Sequence, residues 1–352
     1  MRGTSHMLRD SEHLCSELEN LDLSDQDVLY RIDVREFYMS GTHKDLVAEV
    51  SSIFSGVMKT LISRVLEFLL FYQFVTCDLL PGRFWQVLTG GGQGTTFAGA
   101  LADCCFWVLA ERRFALLPSV RSRALIKHYS RFKDDIFVVA APNLGWLAFW
   151  LEFLARARFY KMQYDKVSQT EVTMLDLRVF KGERFSRCGR LDIGISFKPT
   201  SLGVPLSTSS AHSSACRRSW ARAEVYRFAR RVTSREELEK AKDVLLGRLS
   251  RFCFPSEIVS AVRQCHPPLS RSRSRILLYP SWGATLWLPL PWHASWEGAG
   301  FTKAASSFCS DPFWRSLMLM AFGEHECVAH VRFAWKSSGI SLAQSVRKLN
   351  AQ

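Results

Sequence analysis

The sequence predicts an α+β protein: an antiparallel sheet with helices on one face, followed by a mainly helical, basic region. Three observations lead there. Strand-like runs alternate with helical patterns between residues 27 and 200. Two pairs of neighbouring runs, "ALIKHYSRF" with "IFVVAA" and "VTMLDLRVF" with "LDIGISF", are spaced as hairpins. From Ser219 onward the pattern turns helical and rich in arginine.

The elements follow in order. "DVLYRIDV" (Asp27–Val34) is a buried strand ending at Asp33. One long helical stretch is expected from Lys44 to Cys77. Its apolar part is interrupted by Arg64 and Glu67, which makes it a core helix rather than a membrane span. "RFWQVLT" (Arg83–Thr89) is strand-like and runs into Gly90, Gly91, Gly92, Gln93 and Gly94, after which "TTFAGALADCCFWVLAERRF" is helical. "LGWLAFWLEFLARARF" (Leu144–Phe159) is an amphipathic helix. The expected division is a weakly ordered leader over 1–26, an α+β domain over 27–200, a basic helical region over 201–265, and a linker with a Trp-rich extension over 266–352.

A net charge of +13 favours a polyanionic partner, and the excess is concentrated between His212 and Arg275. The ten cysteines form no C-x-x-C pair and no metal-finger spacing, so reduced thiols packed as small hydrophobes are expected. The first residues lack an apolar signal-peptide core. An intracellular protein, nuclear or cytoplasmic, not secreted and not membrane-bound, is therefore expected.

The chemistry centres on carboxylates. Asp134 and Asp135 lie side by side between two strand-like runs, although Asp is depleted in strands and adjacent carboxylates repel. A turn alone would explain them. With Asp33 at another strand end they gain a second reading, because strands side by side in one sheet can aim both carboxylates at a common point. Hard divalent cations prefer such oxygen ligands. The glycine run has neither the Gly-Lys-Ser/Thr of a P-loop nor the third glycine of a dinucleotide fingerprint. It still offers a Cβ-free turn that a bulky ligand can approach.

The order of these parts resembles the palm of reverse transcriptases. "RIDVREFY" places Tyr38 five positions after Asp33, "GGGQG" opens a helix, and "RFKDD" supplies an aromatic-x-Asp-Asp hairpin. Downstream, Met174–Leu175–Asp176–Leu177, Lys198–Pro199–Thr200, Ser210–Ala211–His212, Arg217–Arg218 and Arg227–Arg231 are similar to the Penelope-like branch of that family. The similarity runs from Leu29 to Pro255. Two features depart from it: Ala98–Gly99 stand where Ser-Pro is usual, and the segment ahead of Asp33 is too short for the fingers, which marks a fragment or a degenerate copy.

The resemblance implies an RNA-directed DNA polymerase of a retroelement, acting on an RNA template, a DNA primer and dNTPs with two Mg²⁺ ions (or Mn²⁺). Asp33 and Asp134 would be the main metal ligands, with Asp135 supporting them. Lys166 would be a proton donor to pyrophosphate. Tyr38 would be the steric gate against a ribose 2′-hydroxyl, and Gln93 and Gly94 would face the incoming nucleotide. Arg217, Arg218, Arg227, Arg230 and Arg231 would lie along duplex phosphates in a thumb. No protein partner is implied. Two rivals remain: an inactive remnant that only binds nucleic acid, and a basic scaffold of other ancestry.

Overall fold

The computed structural model describes residues 6–198, 208 and 214–269, together with the backbone of 286–290 and 331–335. In chain order the elements are α1 (Ser11–Leu18), β1 (Val28–Arg35), α2 (His43–Ser51), α3 (Gly56–Phe71), β2 (Phe74–Thr76), β3 (Phe84–Gln86) and α4 (Ala98–Phe106), which continues as a π-helix over Trp107–Ala115. Next come α5 (Pro118–Arg123), β4 (Ile126–Phe132), β5 (Asp135–Ala140), α6 (Leu144–Arg156), β6 (Lys161–Ser168), β7 (Glu171–Met174), β8 (Leu177–Phe180), α7 (Glu183–Cys188) and β9 (Asp192–Ile195). Helices α8 (Ser214–Arg231), α9 (Arg235–Arg251) and α10 (Ser256–Arg263) follow, and β10 (Leu286–Leu290) pairs in parallel with β11 (Val331–Trp335).

The chain divides into two units. One comprises residues 1–203, 224–248 and 266–269, and the other 204–223, 249–265 and 270–352. The first unit is built on an antiparallel sheet of order β4-β5-β1-β6. Alternation along β1 and β5 splits its side chains between two cores. Tyr30, Ile32, Val34, Ile136 and Val138 face helices, packing with Phe106 of α4 and Phe149 and Phe153 of α6. Leu29, Phe137 and Val139 face the other way, against Val172, Leu177 and Val179 of a second antiparallel sheet, β7-β8-β9. This is the expected α+β arrangement of an antiparallel sheet with a helical layer. In the second unit, Ala221, Leu249, Ile258 and Val262 are buried and Trp220 packs near Phe254.

Three expectations are corrected. Residues of the leader are built into the fold: α1 is capped by Asp10, whose side chain accepts from the His13 amide, and it buries Leu14, Cys15 and Leu18 in the second core. The polar run "RDSEH" conceals the apolar face that secures it. The long helix after Lys44 is two helices, because Ser52–Ser55 interrupt it and Ser55 adopts an extended backbone. Finally, 201–265 is not one separate region: residues 224–248 of α8 and α9 belong with the sheet-bearing unit. The expectations for Lys198–Thr200, Ser210–His212 and the linker beyond Leu269 fall wholly or largely outside the described residues.

Candidate active site

The candidate site lies where β1 ends beside the β4–β5 turn. Asp33 and Asp135 are cross-strand partners, so their side chains share the face of the sheet away from the helical layer. Phe132 pairs with Asp135, which leaves Lys133–Asp134 as a two-residue hairpin loop. The Val34 amide donates to the Asp134 carbonyl at 3.0 Å, tying that loop to the end of β1. Asp33 and Asp134 thus line one cleft of about 370 Å³ with Val34, Arg35, Glu36 and Lys161. Partial burial holds the Asp33 carboxyl above its ordinary pKa, and the neighbouring charges of Asp134, Asp135 and Asp165 push it further the same way.

Asp135 is placed differently. The Arg31 guanidinium donates to its Oδ1 from Nε at 3.1 Å and from Nη2 at 3.0 Å. Arg31 also reaches Asp165 at 3.2 Å and Thr173 Oγ1 at 3.2 Å. The structure therefore gives Asp135 an arginine partner, with Asp33 and Asp134 left facing the cleft. Among the described residues, no group of three or more His, Cys, Asp or Glu side chains is gathered to hold a metal ion. The donor set still fits a hard divalent cation. Mg²⁺ is commonly held by one or two carboxylates, with phosphate and water oxygens completing its shell, and Asp33 and Asp134 supply two on one cleft.

The turn is held from beneath by a buried ionic network. Arg131, 1% exposed, sits on the helix side of β4. It donates to Glu111 Oε1 at 2.8 Å and Oε2 at 3.0 Å, to Asp103 Oδ1 at 2.8 Å, and to the Lys133 carbonyl at 2.9 Å. Lys133 Nζ pairs with Asp103 in turn, the Tyr129 hydroxyl donates to Glu111 at 2.9 Å, and His6 lies 3.0 Å from the same carboxylate. The guanidinium also stands 5.1 Å from the Phe106 ring centre and 5.6 Å from that of Phe37. Lys133 occupies the left-handed region at φ 56°, a position that favours glycine. The Arg131 bond to its carbonyl and the Asp103 bond to its ammonium hold that conformation.

Tyr38 is half-buried beside Phe37, and Gly99 of α4 lies between its ring and Lys133. The glycine run is anchored to the same segment. Gly91 donates to the Tyr38 carbonyl at 2.8 Å and Gly90 to the Gly41 carbonyl at 2.9 Å. A Cβ on Gly90 would meet the Tyr38 carbonyl oxygen at 2.3 Å, so only glycine permits this approach. Gln93 and Gly94 are exposed at the far end of the run. Lys166 of β6 lies opposite Arg31 of β1 in strand register, away from the residues lining the cleft, and reaches Glu171 at 3.4 Å.

Two groups near the carboxylates were not anticipated. Gln163, the β6 partner of Asp33, approaches its Oδ2 at 3.5 Å, and Lys161 lines the cleft two residues earlier on the same face. The alternation Lys161–Gln163 in "KMQYDK" carried that signal. What hid it was the pairing of β6 with β1, including the irregularity that leaves Asp165 unpaired between Tyr164 and Lys166.

The arginines expected on duplex phosphates have intramolecular partners. Arg227 and Arg231 both bind Asp176 in the β7–β8 turn, Arg227 at 2.7 Å, and Arg227 also binds Glu224. Arg230 lies 3.4 Å from Glu12. In the second unit Arg218 lies 3.9 Å from Glu257, and Arg217 is also partnered. Ser11 of α1 donates to Asp176 as well, so that carboxylate joins α1, the β7–β8 turn and α8. Arg231→Ala is expected to destabilise the protein by about 1.5–3 kcal/mol, the range for hydrogen bonds to charged groups, read as a lower midpoint in urea unfolding. A neutral result would show that Asp176 is satisfied without it.

The fold is an α+β domain in which an antiparallel sheet carries a helical layer on one face and the carboxylate cleft at the end of β1. The chain is similar to telomerase from Candida albicans in complex with the TWJ fragment of telomeric RNA, at 10% identity and TM-score 0.47 over 72% of this chain and 46% of that one. It is also similar to apo telomerase from Candida Tropicalis (11% identity, TM-score 0.43, 74% and 47% coverage). A third similar structure is the RNA-dependent RNA polymerase of a human picobirnavirus (10% identity, TM-score 0.42, 73% and 50% coverage). The chain spans about half the length of these structures. No family model and no curated protein matches it. Among the described residues no helix is long and apolar enough to cross a membrane.

Proposed function

We propose that this protein is a template-directed nucleotidyltransferase, an RNA-directed DNA polymerase of the Penelope-like kind. The observation that carries the proposal is the meeting of Asp33 and Asp134 in one cleft, in the order and context of a palm. Their carboxylates would hold the divalent ions, Mg²⁺ or Mn²⁺. Such ions, when bound, activate an attacking primer hydroxyl and stabilise the leaving oxygen. Asp135 positions Arg31, Lys161 offers a positive charge to a triphosphate at the cleft mouth, and Tyr38 stands at the sugar. Tyr38 selects deoxyribonucleotides in this reading.

The test is primer extension with the purified chain, an RNA template, a DNA primer and dNTPs in Mg²⁺. Template-dependent products support the reading. Their absence, with duplex binding retained, supports the second reading of a remnant that only binds nucleic acid. The engagement of Asp135 by Arg31 favours that alternative, because it leaves two aspartates rather than three at the cleft.

A further inference from the structure

Helix α3 packs on the first core through Leu66 and Leu70 but carries a second apolar stripe on its other side. Met58, Leu61, Val65 and Phe68, with Tyr72 at the C-cap, recur at intervals of three and four, and all are exposed, from 44% at Val65 to 68% at Tyr72. The expectation of a core helix thus holds for one face alone. A 3–4 spacing gives one continuous apolar face along the helix, which a second helix of the same spacing can meet ridge into groove. The seam continues onto the β2–β3 hairpin, where Phe74 and Phe84 are 56% and 70% exposed.

We propose that a second copy of this chain covers this face, pairing α3 with α3. Charge argues for self-association through this surface. The chain as a whole carries +13, so two copies repel wherever their basic surfaces meet. Over residues 54–88, Lys59, Arg64 and Arg83 stand against Glu67 and Asp78, and Arg64 is neutralised by Glu67 at 3.1 Å. Two copies can therefore approach here at little electrostatic cost, whereas a polyanion would find three cations offset by two anions. Area agrees. Phe68, Tyr72, Phe74 and Phe84 are 56–70% exposed. At ~150–250 Å² per aromatic side chain they offer roughly 500 Å² per copy, and a standard interface uses ~800 Å² per partner. The rest of the seam supplies the difference. An isologous dimer closes on itself, consistent with one patch that serves both copies. The seam ends at Tyr72, next to Gln73, whose side-chain carbonyl accepts from the Gly92 amide at 2.6 Å. Dimerisation would thereby stiffen the loop that carries Gln93 and Gly94.

The experiment is sedimentation equilibrium of the full chain at micromolar concentrations in moderate salt, with Leu61→Glu/Phe68→Glu and the single Val65→Lys as variants. The wild type is expected to be dimeric. The double variant should weaken association by about 100-fold or more, as loss of two interface anchors implies, with an unchanged far-UV circular dichroism spectrum. If the double variant fails to fold, Val65→Lys makes the same comparison. A wild-type monomer overturns the proposal, as does a dimer that both folded variants leave intact. A monomer that binds neutral phospholipid vesicles through this seam assigns the face to lipid and overturns it equally.

Discussion

Asp33→Asn and Asp134→Asn are each expected to lower templated primer extension by about 10³-fold or more, the scale on which a preorganised electrostatic contact to the reacting centre acts. Either change removes one of the two aspartate carboxylates lining the cleft while keeping the size of the side chain. Asp135→Asn is expected to cost less, about 10–100-fold, the range for a group that orients others, because Asp135 is held by Arg31 on the shared face. The order of effects is the decisive readout. Equal losses at all three positions would place Asp135 in the cleft as well. A second measurement does not depend on activity. Burial and three neighbouring carboxylates raise the Asp33 pKa. A carboxyl raised in the folded state favours folding at low pH, and that contribution is lost as pH rises through its folded pKa. Asn carries no such charge, so at neutral pH Asp33→Asn is expected to raise the melting temperature of the metal-free protein. The same variant should respond less than the wild type to added Mg²⁺ or Mn²⁺. A lower melting temperature would show that the carboxylate is needed for the fold itself.

Arg131→Met is expected to destabilise the protein by about 3–5 kcal/mol, because it leaves Glu111 and Asp103 as buried charges without their arginine. Glu111 is fully buried, which pushes its carboxyl up, yet the charges and hydrogen bonds of Arg131 and His6 together outweigh that burial and hold it down at about 2, against an ordinary 4.5. A depressed carboxylate stabilises the fold fully above its unfolded pKa and loses that contribution as pH falls toward 2. The wild type should therefore lose stability steeply below the ordinary carboxylate range, and Glu111→Leu/Arg131→Met should lose less over the same interval. Urea unfolding of the two single variants and the double variant closes the cycle. The double variant is expected to be more stable than the sum of the single losses predicts, since replacing both partners removes the stranded charge. Strict additivity would show that the two residues do not act as a pair. Arg131 also holds the Lys133 carbonyl, so a folded Arg131→Met variant should have a loosened β4–β5 turn.

How much of this was legible in the sequence differs residue by residue. Asp33 stands at the end of an apolar strand, and Asp134 follows an aromatic in a hairpin turn. Both are local patterns, read from alternation and turn chemistry. Gly90 is of the same kind: a glycine run announces close backbone approach without saying to what. Arg131 was not legible. It reads as one more charge in "YSRFKDD", and only the packing of α4 and its π-helical extension against β4 brings Glu111 and Asp103, 20 and 28 residues away in sequence, to its guanidinium.

The arginines of α8 show the same limit. A strongly basic helix predicts a polyanionic partner, since net charge is a property of composition. Whether a given arginine is free for that partner depends on carboxylates brought close by folding, and Asp176 and Glu12 are distant in sequence from Arg227, Arg230 and Arg231. The sequence by itself determined the fold class, the order of the strands that carry aspartate and the excess of basic charge, because period, turn propensity and composition are local or additive quantities. The tertiary structure alone decided which carboxylates face the cleft, which arginines are already paired and which face of α3 stays uncovered. Those depend on strand register and on contacts between distant segments, and a single cross-strand register or one packed helix sets each of them.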